Sequence, residues 1–126
     1  MLLFIDTSDY DNARLALVGK VNFWHHFKSD NLSEQLLLEI KKFCRKNKIN
    51  FKQLTRISVV VGPGGFSRIR TGIATANALA YVLNLGLVPL TKDQIPVDLS
   101  VLQSFPAKKM VKPAYGREPN ITMRKS

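Results

Sequence analysis

The sequence contains little cysteine and little acidic charge. Cys44 is the single cysteine among 126 residues, which excludes an internal disulfide and a zinc cluster of ordinary Cys/His spacing. Since a lone thiol is typical of a reducing compartment, we expect a cytoplasmic protein. Nineteen Lys and Arg stand against nine Asp and Glu, a formal net charge of +10. That excess favours polyanions or acidic proteins as partners, although many small basic proteins are merely soluble.

The sequence also lacks a convincing membrane segment. The apolar start at 1–5 has no basic region and meets Asp6 at once, which is unlike a signal peptide. No charge occurs between Arg70 and Lys92, a length that spans a bilayer, but polar residues and Pro89 interrupt it. This stretch therefore predicts a buried helix followed by a buried strand. With 45% hydrophobic and 22% charged residues, the composition indicates a globular domain with no membrane partner.

Hydrophobic periodicity predicts an α/β domain. Three short strands joined by tight turns form an antiparallel meander, at 2–6, 13–18 and 21–27. Helices and strands then alternate, at 31–47 (helix), 56–61 (strand), 67 or 68 to 85 (helix) and 87–90 (strand). Asn31 with Glu34 predicts a capping box on the first helix, and Gly86 predicts a C-cap on the second. Right-handed crossovers place the strands in one sheet, as in ribonuclease-H-like and actin-like domains.

The second predicted helix is apolar nearly all round. Such a helix needs cover on more than one face. Small residues one turn apart, at Gly72, Ala76 and Ala80, would let another helix approach closely. We therefore expect a protein partner, or a second copy of the chain, at this helix. The alternative is that the first helix and the C-terminal segment supply the cover.

Two segments have the residue types of an anion site. One follows the first strand, where the alternative is a turn that satisfies its own backbone. The other, at 62–70, is a glycine-rich turn leading into the second helix, and a helix start with exposed N–H groups attracts anions. This turn lacks the Gly-Lys-Ser/Thr ending of a Walker loop. The candidate phosphate- or anion-binding residues are Asp6, Thr7, Ser8, Gly62, Gly64, Gly65, Ser67 and Arg70.

A cluster of cations without acids covers the end of the first helix and the turn after it. Its candidates for RNA contact are Lys41, Lys42, Arg45, Lys46, Lys48 and Lys52. Phosphate contacts from such a cluster would depend strongly on salt. The two interpretations are a stand-alone RNA-binding module and a helix face that is only solvated.

The strand-turn-helix segment resembles a known family. Phe4-Ile5-Asp6-Thr7-Ser8 and the block at 60–76 are similar to the TsaB (YeaZ) family, whose pattern in the block is Gly-Pro-Gly-Ser-Phe-Thr-Gly-Leu-Arg-x-Gly. The residues that keep this pattern are Gly62, Pro63, Gly64, Phe66, Arg70 and Gly72. The departures are Gly65, Ser67, Arg68 and Ile69. The similarity covers 1–91, and 113–119 is similar to a Pro-x-Tyr-x-Arg segment that closes many members.

The resemblance implies an actin-like ATPase fold, of which residues 1–91 form the N-terminal lobe. A short basic segment, 92–126, replaces most of the second lobe. The implied role is a non-catalytic subunit, not an enzyme, that activates TsaD, the paralogue that transfers threonylcarbamoyl to the adenosine beside the anticodon of tRNA. A TsaE-type ATPase completes the bacterial complex, in which the basic cluster would face tRNA. Because an actin-like nucleotide site lies between two lobes, we expect no cofactor on this chain alone, and ATP or ADP only at a subunit junction.

The resemblance also implies that the two helices contact the TsaD-type subunit or another copy of the chain. The candidate interface residues are Leu36, Leu37, Ile40, Gly72, Ile73, Ala76, Leu79, Ala80 and Leu83.

The alternative from a different class is a metal-dependent nuclease on a ribonuclease-H-like sheet. Such an enzyme clusters carboxylates around magnesium, here Asp6 with Glu34 or Glu39. No acid follows Glu39 until after the fifth strand, although the fourth strand should supply one, so no metal site is expected. His25 and His26 are neighbours on a strand and point to opposite faces, a poor geometry for one metal.

Overall fold

A five-stranded mixed sheet organises the chain. The computed structural model describes residues 1–111, so the resemblance at 113–119 lies outside the described residues. The strands are β1 (Leu2–Asp6), β2 (Asn12–Val18), β3 (Phe23–Lys28), β4 (Arg56–Gly62) and β5 (Gly86–Thr91). Their order in the sheet is β3-β2-β1-β4-β5, with β1 antiparallel to β2 and parallel to β4. β2 is antiparallel to β3, which confirms the predicted meander. β4 is parallel to β5, which confirms the predicted crossovers.

Two helices cover one face of this sheet. They are α1 (Leu32–Lys46) and α2 (Phe66–Leu83), and they pack on each other. Short 3₁₀ helices lie at Phe51–Gln53, Lys92–Gln94 and Leu99–Ser104. β1 is buried along its whole length, because its alternate side chains enter the cores on the two faces of the sheet. Within residues 1–111, no helix is both long and apolar enough to cross a membrane.

The residues that follow β5 cover the opposite face of the sheet. Leu99 and Leu102 are buried in a core with β1. The Arg56 guanidinium donates to the Leu102 carbonyl at 3.2 Å, and Lys108 forms an antiparallel bridge with Leu87 beside β5. The last described residue, Val111, lies instead in the core under the helices, where its backbone exchanges two hydrogen bonds of 3.0 Å with the Asn77 side chain of α2. The domain boundary at residue 91 stays a prediction.

The ends of both helices differ from prediction in detail. Asn31 occupies the N-cap of α1, but no capping box forms, since its side-chain N–H donates to Glu34 Oε2 at 2.9 Å. Ser29 Oγ instead accepts the backbone N–H of Asn31 at 3.1 Å. The second helix ends two residues before the predicted position, because Asn84 takes the left-handed conformation with φ 56°. Gly86 opens β5 and is not the C-cap.

Candidate functional site

The carboxylate at the end of β1 is fully engaged by its own chain. Asp6 is 3% exposed. Its Oδ2 accepts from Arg14 Nη2 at 2.7 Å and from Nε at 3.1 Å, while its Oδ1 accepts from the Ser8 backbone N–H at 2.9 Å and from Ser8 Oγ at 2.6 Å. Both oxygens of Asp6 thus have internal partners, as in a turn that satisfies itself. Two of the predicted anion-binding residues are used to order this turn.

Thr7 joins the end of β1 to the first turn of α2. Its side chain is buried, and its Oγ1 donates to the carbonyl of Arg68 at 2.8 Å. Gly72 lies directly beneath it, since a Cβ on Gly72 would collide with Thr7 Oγ1. This approach explains why a glycine occurs in the middle of α2, where it costs helix stability. Thr7 therefore supports the position of α2.

The glycine-rich turn is packed against the same residues. A Cβ on Gly64 would lie 2.7 Å from the carbonyl oxygen of Ser8 and 2.9 Å from its Cα, so a side chain there would collide with backbone. Gly62 has φ 140°, a conformation that L side chains rarely adopt. A Cβ on Gly65, in contrast, would make only ordinary contacts. The turn brings the two predicted segments together, but Gly64 is used for close packing.

The remaining predicted anion-binding residues face outward. Ser67 and Arg70 are exposed. The guanidinium of Arg70 lies over the Phe66 ring, 5.2 Å from its centroid. With Asp6, Thr7 and Ser8 engaged inside, an anion approaching the start of α2 would meet Gly65, Ser67 and Arg70.

Arg68 is a positioning residue that the sequence prediction missed. Its Nε donates to the Asp9 carbonyl at 3.1 Å, and its Nη1 donates to the Ser29 carbonyl at 2.8 Å. Its Nη2 is buried and has no hydrogen-bond partner within residues 1–111. Arg68 therefore fixes the start of α2 to two loops at this edge of the sheet. Two arginines two residues apart in a helix point about 200° apart, so both cannot face the same side.

Most residues of the predicted partner interface face the core of this chain and not a partner, which corrects the prediction. Seven of its residues belong to the core under α1 and α2: Leu36, Ile40, Gly72, Ile73, Ala76, Leu79 and Ala80. Leu83 is half-buried and Leu37 is 40% exposed. The sheet covers this side of α2, together with α1 and, through Val111, the C-terminal segment. Helix α1 and the C-terminal segment were the cover named in the alternative. The small residues of α2 allow close approach to the sheet.

The other side of α2 remains apolar and uncovered by residues 1–111. Tyr81 is 87% exposed and Val82 is 76% exposed. Ala78 and Ala74, one and two turns before Val82, are exposed as well. Residues spaced by four lie on the same side of a helix. We call Ala74, Ala78, Tyr81 and Val82 the outer surface of α2.

The carboxylates of the nuclease alternative lie apart. Asp6 pairs with Arg14, and Glu39 Oε1 lies 2.8 Å from His25 Nε2. Glu34 accepts from the side chain of Asn31 at the start of α1. No three His, Cys, Asp or Glu side chains of residues 1–111 are grouped so that they could hold a metal ion. The structure thus gives the nuclease mechanism no metal centre in this region.

The two histidines contact aromatic rings, and the cysteine is buried. The His25 ring stacks between Phe27 and Phe43, with centroid distances of 5.5 Å to each. His26 contacts the ring of Trp24 instead. Cys44 is buried, and its burial raises the pKa of the thiol to about 11. A thiol with this pKa is protonated at neutral pH and is a poor nucleophile.

All six predicted RNA-facing cations are exposed. Three of them, Lys41, Arg45 and Lys48, line one open concavity with Ile49 and Phe51. The concavity lies at the C-terminal end of α1, on a different element from the glycine-rich turn.

Comparison with known proteins supports the resemblance read from the sequence. The sequence model of the family described as "TsaD: tRNA N6-adenosine threonylcarbamoyltransferase" matches residues 26–95. No curated protein matches the sequence significantly.

Two solved structures share the fold. One is YeaZ from Pseudomonas aeruginosa, with a TM-score of 0.67 and 22% identity over 71% of this chain and 44% of that chain. The other is an uncharacterized protein with similarity to peptidase YeaZ, also from Pseudomonas aeruginosa, with a TM-score of 0.67 and 23% identity over 71% and 42% of the two chains. This chain spans less than half the length of these structures, and at such identities they show the fold alone. The chain belongs to the TsaD family by its sequence, and its α/β sheet has the fold of YeaZ.

Proposed function

We propose that this chain is a non-catalytic subunit of the machinery that adds threonylcarbamoyl to the adenosine beside the anticodon of tRNA. Membership of the TsaD family supports a role in this modification. The observation that carries the subunit role is the outer surface of α2, which is apolar and exposed. In the proposal this surface binds a TsaD-type catalytic subunit in the cytoplasm.

The outer surface of α2 has the properties of a helix-packing interface. Exposed apolar side chains that share one side of a helix mark an interaction site when they form a continuous patch. Ala74 and Ala78 are small, which favours close approach of a partner helix, and Tyr81 and Val82 supply larger apolar groups. Leu37 and Leu38 of the neighbouring helix α1 are exposed too. A partner with an apolar helical face would bury the outer surface of α2.

Asp6, Thr7, Ser8 and Gly64, which we call the closed end of β1, are engaged within the chain, and this supports a role without catalysis. A carboxylate that acts on a substrate or metal needs a free oxygen, and both oxygens of Asp6 are taken by Arg14 and Ser8. At the start of α2, Ser67 and Arg70 are exposed and could donate hydrogen bonds to a phosphate. We therefore propose ATP or ADP only where the partner completes a site beside these residues, and a TsaE-type ATPase only as a member of the whole complex.

Co-purification tests the proposal. The chain and the TsaD-type protein of the same genome are co-expressed with a tag on one of them, and the stoichiometry of the isolated complex is measured. Val82→Asp should abolish the complex while the circular dichroism spectrum stays unchanged, because a carboxylate would be buried at the interface. Val97→Asp is the matched control, since Val97 is fully exposed elsewhere. Folded wild-type chain that forms no complex would refute the proposal.

A second copy of the chain is the other candidate for the same surface. Sedimentation of the isolated chain distinguishes the two. The proposal expects a homodimer, if one forms, to dissociate when the TsaD-type subunit is added. A homodimer that persists and excludes that subunit would favour self-association as the function of this surface.

A further inference from the structure

The surface at the C-terminal end of α1 is cationic, and within residues 1–111 its cations have no carboxylate partner. Its six exposed cations are Lys41, Lys42, Arg45, Lys46, Lys48 and Lys52. The ion pairs found within residues 1–111 join Arg14 to Asp6 and His25 to Glu39, so no described carboxylate neutralises any of the six. Like charges held close together repel one another and attract polyanions. This surface therefore favours a ligand with several negative charges.

Part of this surface is concave. Lys41, Arg45 and Lys48 line an open cavity of about 480 Å³ together with Cys44, Ile49, Asn50 and Phe51; we call it the α1 groove. Lys41 and Arg45 are one helical turn apart, roughly 6 Å along α1, and Lys48 lies in the turn directly after the helix. The groove combines a row of cations with an apolar wall.

An aromatic ring is held in position in this wall. Phe51 is half-buried and packs against the core under the helices, so its ring borders both the core and the groove. A capping box fixes its short 3₁₀ helix, because Asn50 Oδ1 accepts the Lys52 N–H at 2.9 Å and Gln53 Oε1 accepts the Asn50 N–H at 2.7 Å. Cations beside a fixed aromatic ring are the combination that binds single-stranded nucleic acids, in which bases stack on the ring. An acidic protein would use the cations but has no need of the ring.

We infer that the α1 groove binds a single-stranded or looped segment of RNA, with phosphates on Lys41, Arg45 and Lys48 and one base on Phe51. A loop is favoured over a duplex because only unpaired bases can leave their stack to reach a side chain. The identification of this RNA as tRNA rests on the proposed function. The cations and the ring favour RNA whether or not the proposed function holds.

Binding of an unmodified tRNA transcript to the full chain tests the inference, measured by fluorescence anisotropy at several salt concentrations. The variant Lys41→Gln/Arg45→Gln/Lys48→Gly should bind at least about tenfold more weakly. Its plot of log affinity against log salt should be less steep by about 2, since each lost contact to single-stranded RNA removes about 0.7 from the slope. Lys48 has φ 59°, a conformation that favours glycine, so that substitution removes a charge without straining the backbone.

Phe51→Leu tests the ring separately. It should weaken binding about fivefold to tenfold through lost stacking and leave the salt slope unchanged, because no charge is removed. The matched control is Lys20→Gln/Lys92→Gln/Lys109→Gln, which removes three exposed cations outside the groove. The control should keep an affinity within about threefold of the wild type.

Three outcomes would overturn the inference. The first is equal loss in the groove and control variants, which would mean attraction by net charge only. The second is competition by polyglutamate as effective as that by unlabelled tRNA, which would assign the surface to an acidic protein. The third is unchanged binding in both groove variants. The groove variants should still co-purify with the TsaD-type subunit, so a failure of RNA binding and a failure of the proposed complex are distinguishable.

Discussion

The end of β1 and the end of α1 are opposites in how their polar groups are used. At the end of β1, the motif-like residues Asp6, Thr7 and Ser8 have partners inside the chain, and Gly64 is in contact with backbone. At the end of α1, a stretch with no recognisable motif presents cations that lack carboxylate partners within residues 1–111. The residues of a conspicuous motif can thus be used for packing and internal hydrogen bonds. The cations of a turn without a motif remain exposed and can contact a ligand.

The largest effect should come from adding one methyl group to the closed end. Gly64→Ala would place a Cβ 2.7 Å from the Ser8 carbonyl oxygen, and neither backbone can retreat cheaply. We expect a loss of about 3 kcal/mol in the free energy of unfolding, measured by urea denaturation. Gly65→Ala is the control, with an expected change within about 0.5 kcal/mol. Equal effects of the two substitutions would show that the closed end is not tightly packed.

The ion pair at the closed end should contribute somewhat less. Asp6→Ala leaves Arg14 and the donors of Ser8 without their acceptor, and we expect a loss of about 2 kcal/mol, since Arg14 is partly exposed and can be solvated. Asp11→Ala, an exposed acid in the next turn, should change the free energy of unfolding by less than about 0.5 kcal/mol. If Asp6→Ala were as mild as this control, Asp6 would be available for another role.

The order of strands and helices was predictable, because it follows from side-chain periodicity. Buried strands such as β4 have nearly continuous apolar runs, and α1 has a clear apolar stripe that the structure buries. The inward side of α2 was not predictable. Gly72, Ala76 and Ala80 fit close approach to a sheet as well as to a partner helix, and an almost uniformly apolar helix does not indicate which side is inside.

The capping box at Asn31 and the role of Arg68 were not predicted correctly, for a related reason. Asn31 has the right spacing for a capping box with Glu34, but the choice between accepting from backbone and donating to Glu34 depends on side-chain rotamers. Arg68 and Arg70 are equivalent in sequence, and only the docking of α2 decides which one reaches the Asp9 carbonyl. Phe51 could not be linked to the cations of α1 by periodicity, because it lies beyond the end of the helix, after the turn that brings it back to them.

One substitution in the α1 groove should stabilise the fold. Lys48 has φ 59°, in the left-handed region that glycine adopts without a Cβ penalty. Lys48→Gly should therefore raise the free energy of unfolding by about 0.5 kcal/mol, measured by urea denaturation, while it lowers affinity for RNA. A loss of stability would mean that the Lys48 side chain has a structural role, and the contrast between the two regions would weaken.

The smallest effect concerns pH and lies outside both regions. Hydrogen bonds from the Ser100 hydroxyl and backbone N–H lower the pKa of Asp98 below its usual value. Because the folded-state pKa is the lower one, this contribution to stability is present above about pH 4 and is lost as the pH falls through the folded-state pKa. Ser100→Ala should raise the pKa of Asp98, measured by NMR titration. An unchanged pKa would contradict this account of the 3₁₀ segment.

The most direct test of the central claim is the amount of threonylcarbamoyladenosine formed in tRNA by the TsaD-type subunit with and without this chain. The reaction is reconstituted with the remaining components of the machinery, and the modified nucleoside is quantified by mass spectrometry. The account predicts that modification requires the wild-type chain, that Val82→Asp fails to support it and that Val97→Asp supports it. Equal modification in the absence of the chain would contradict the claim that it is a subunit of this machinery.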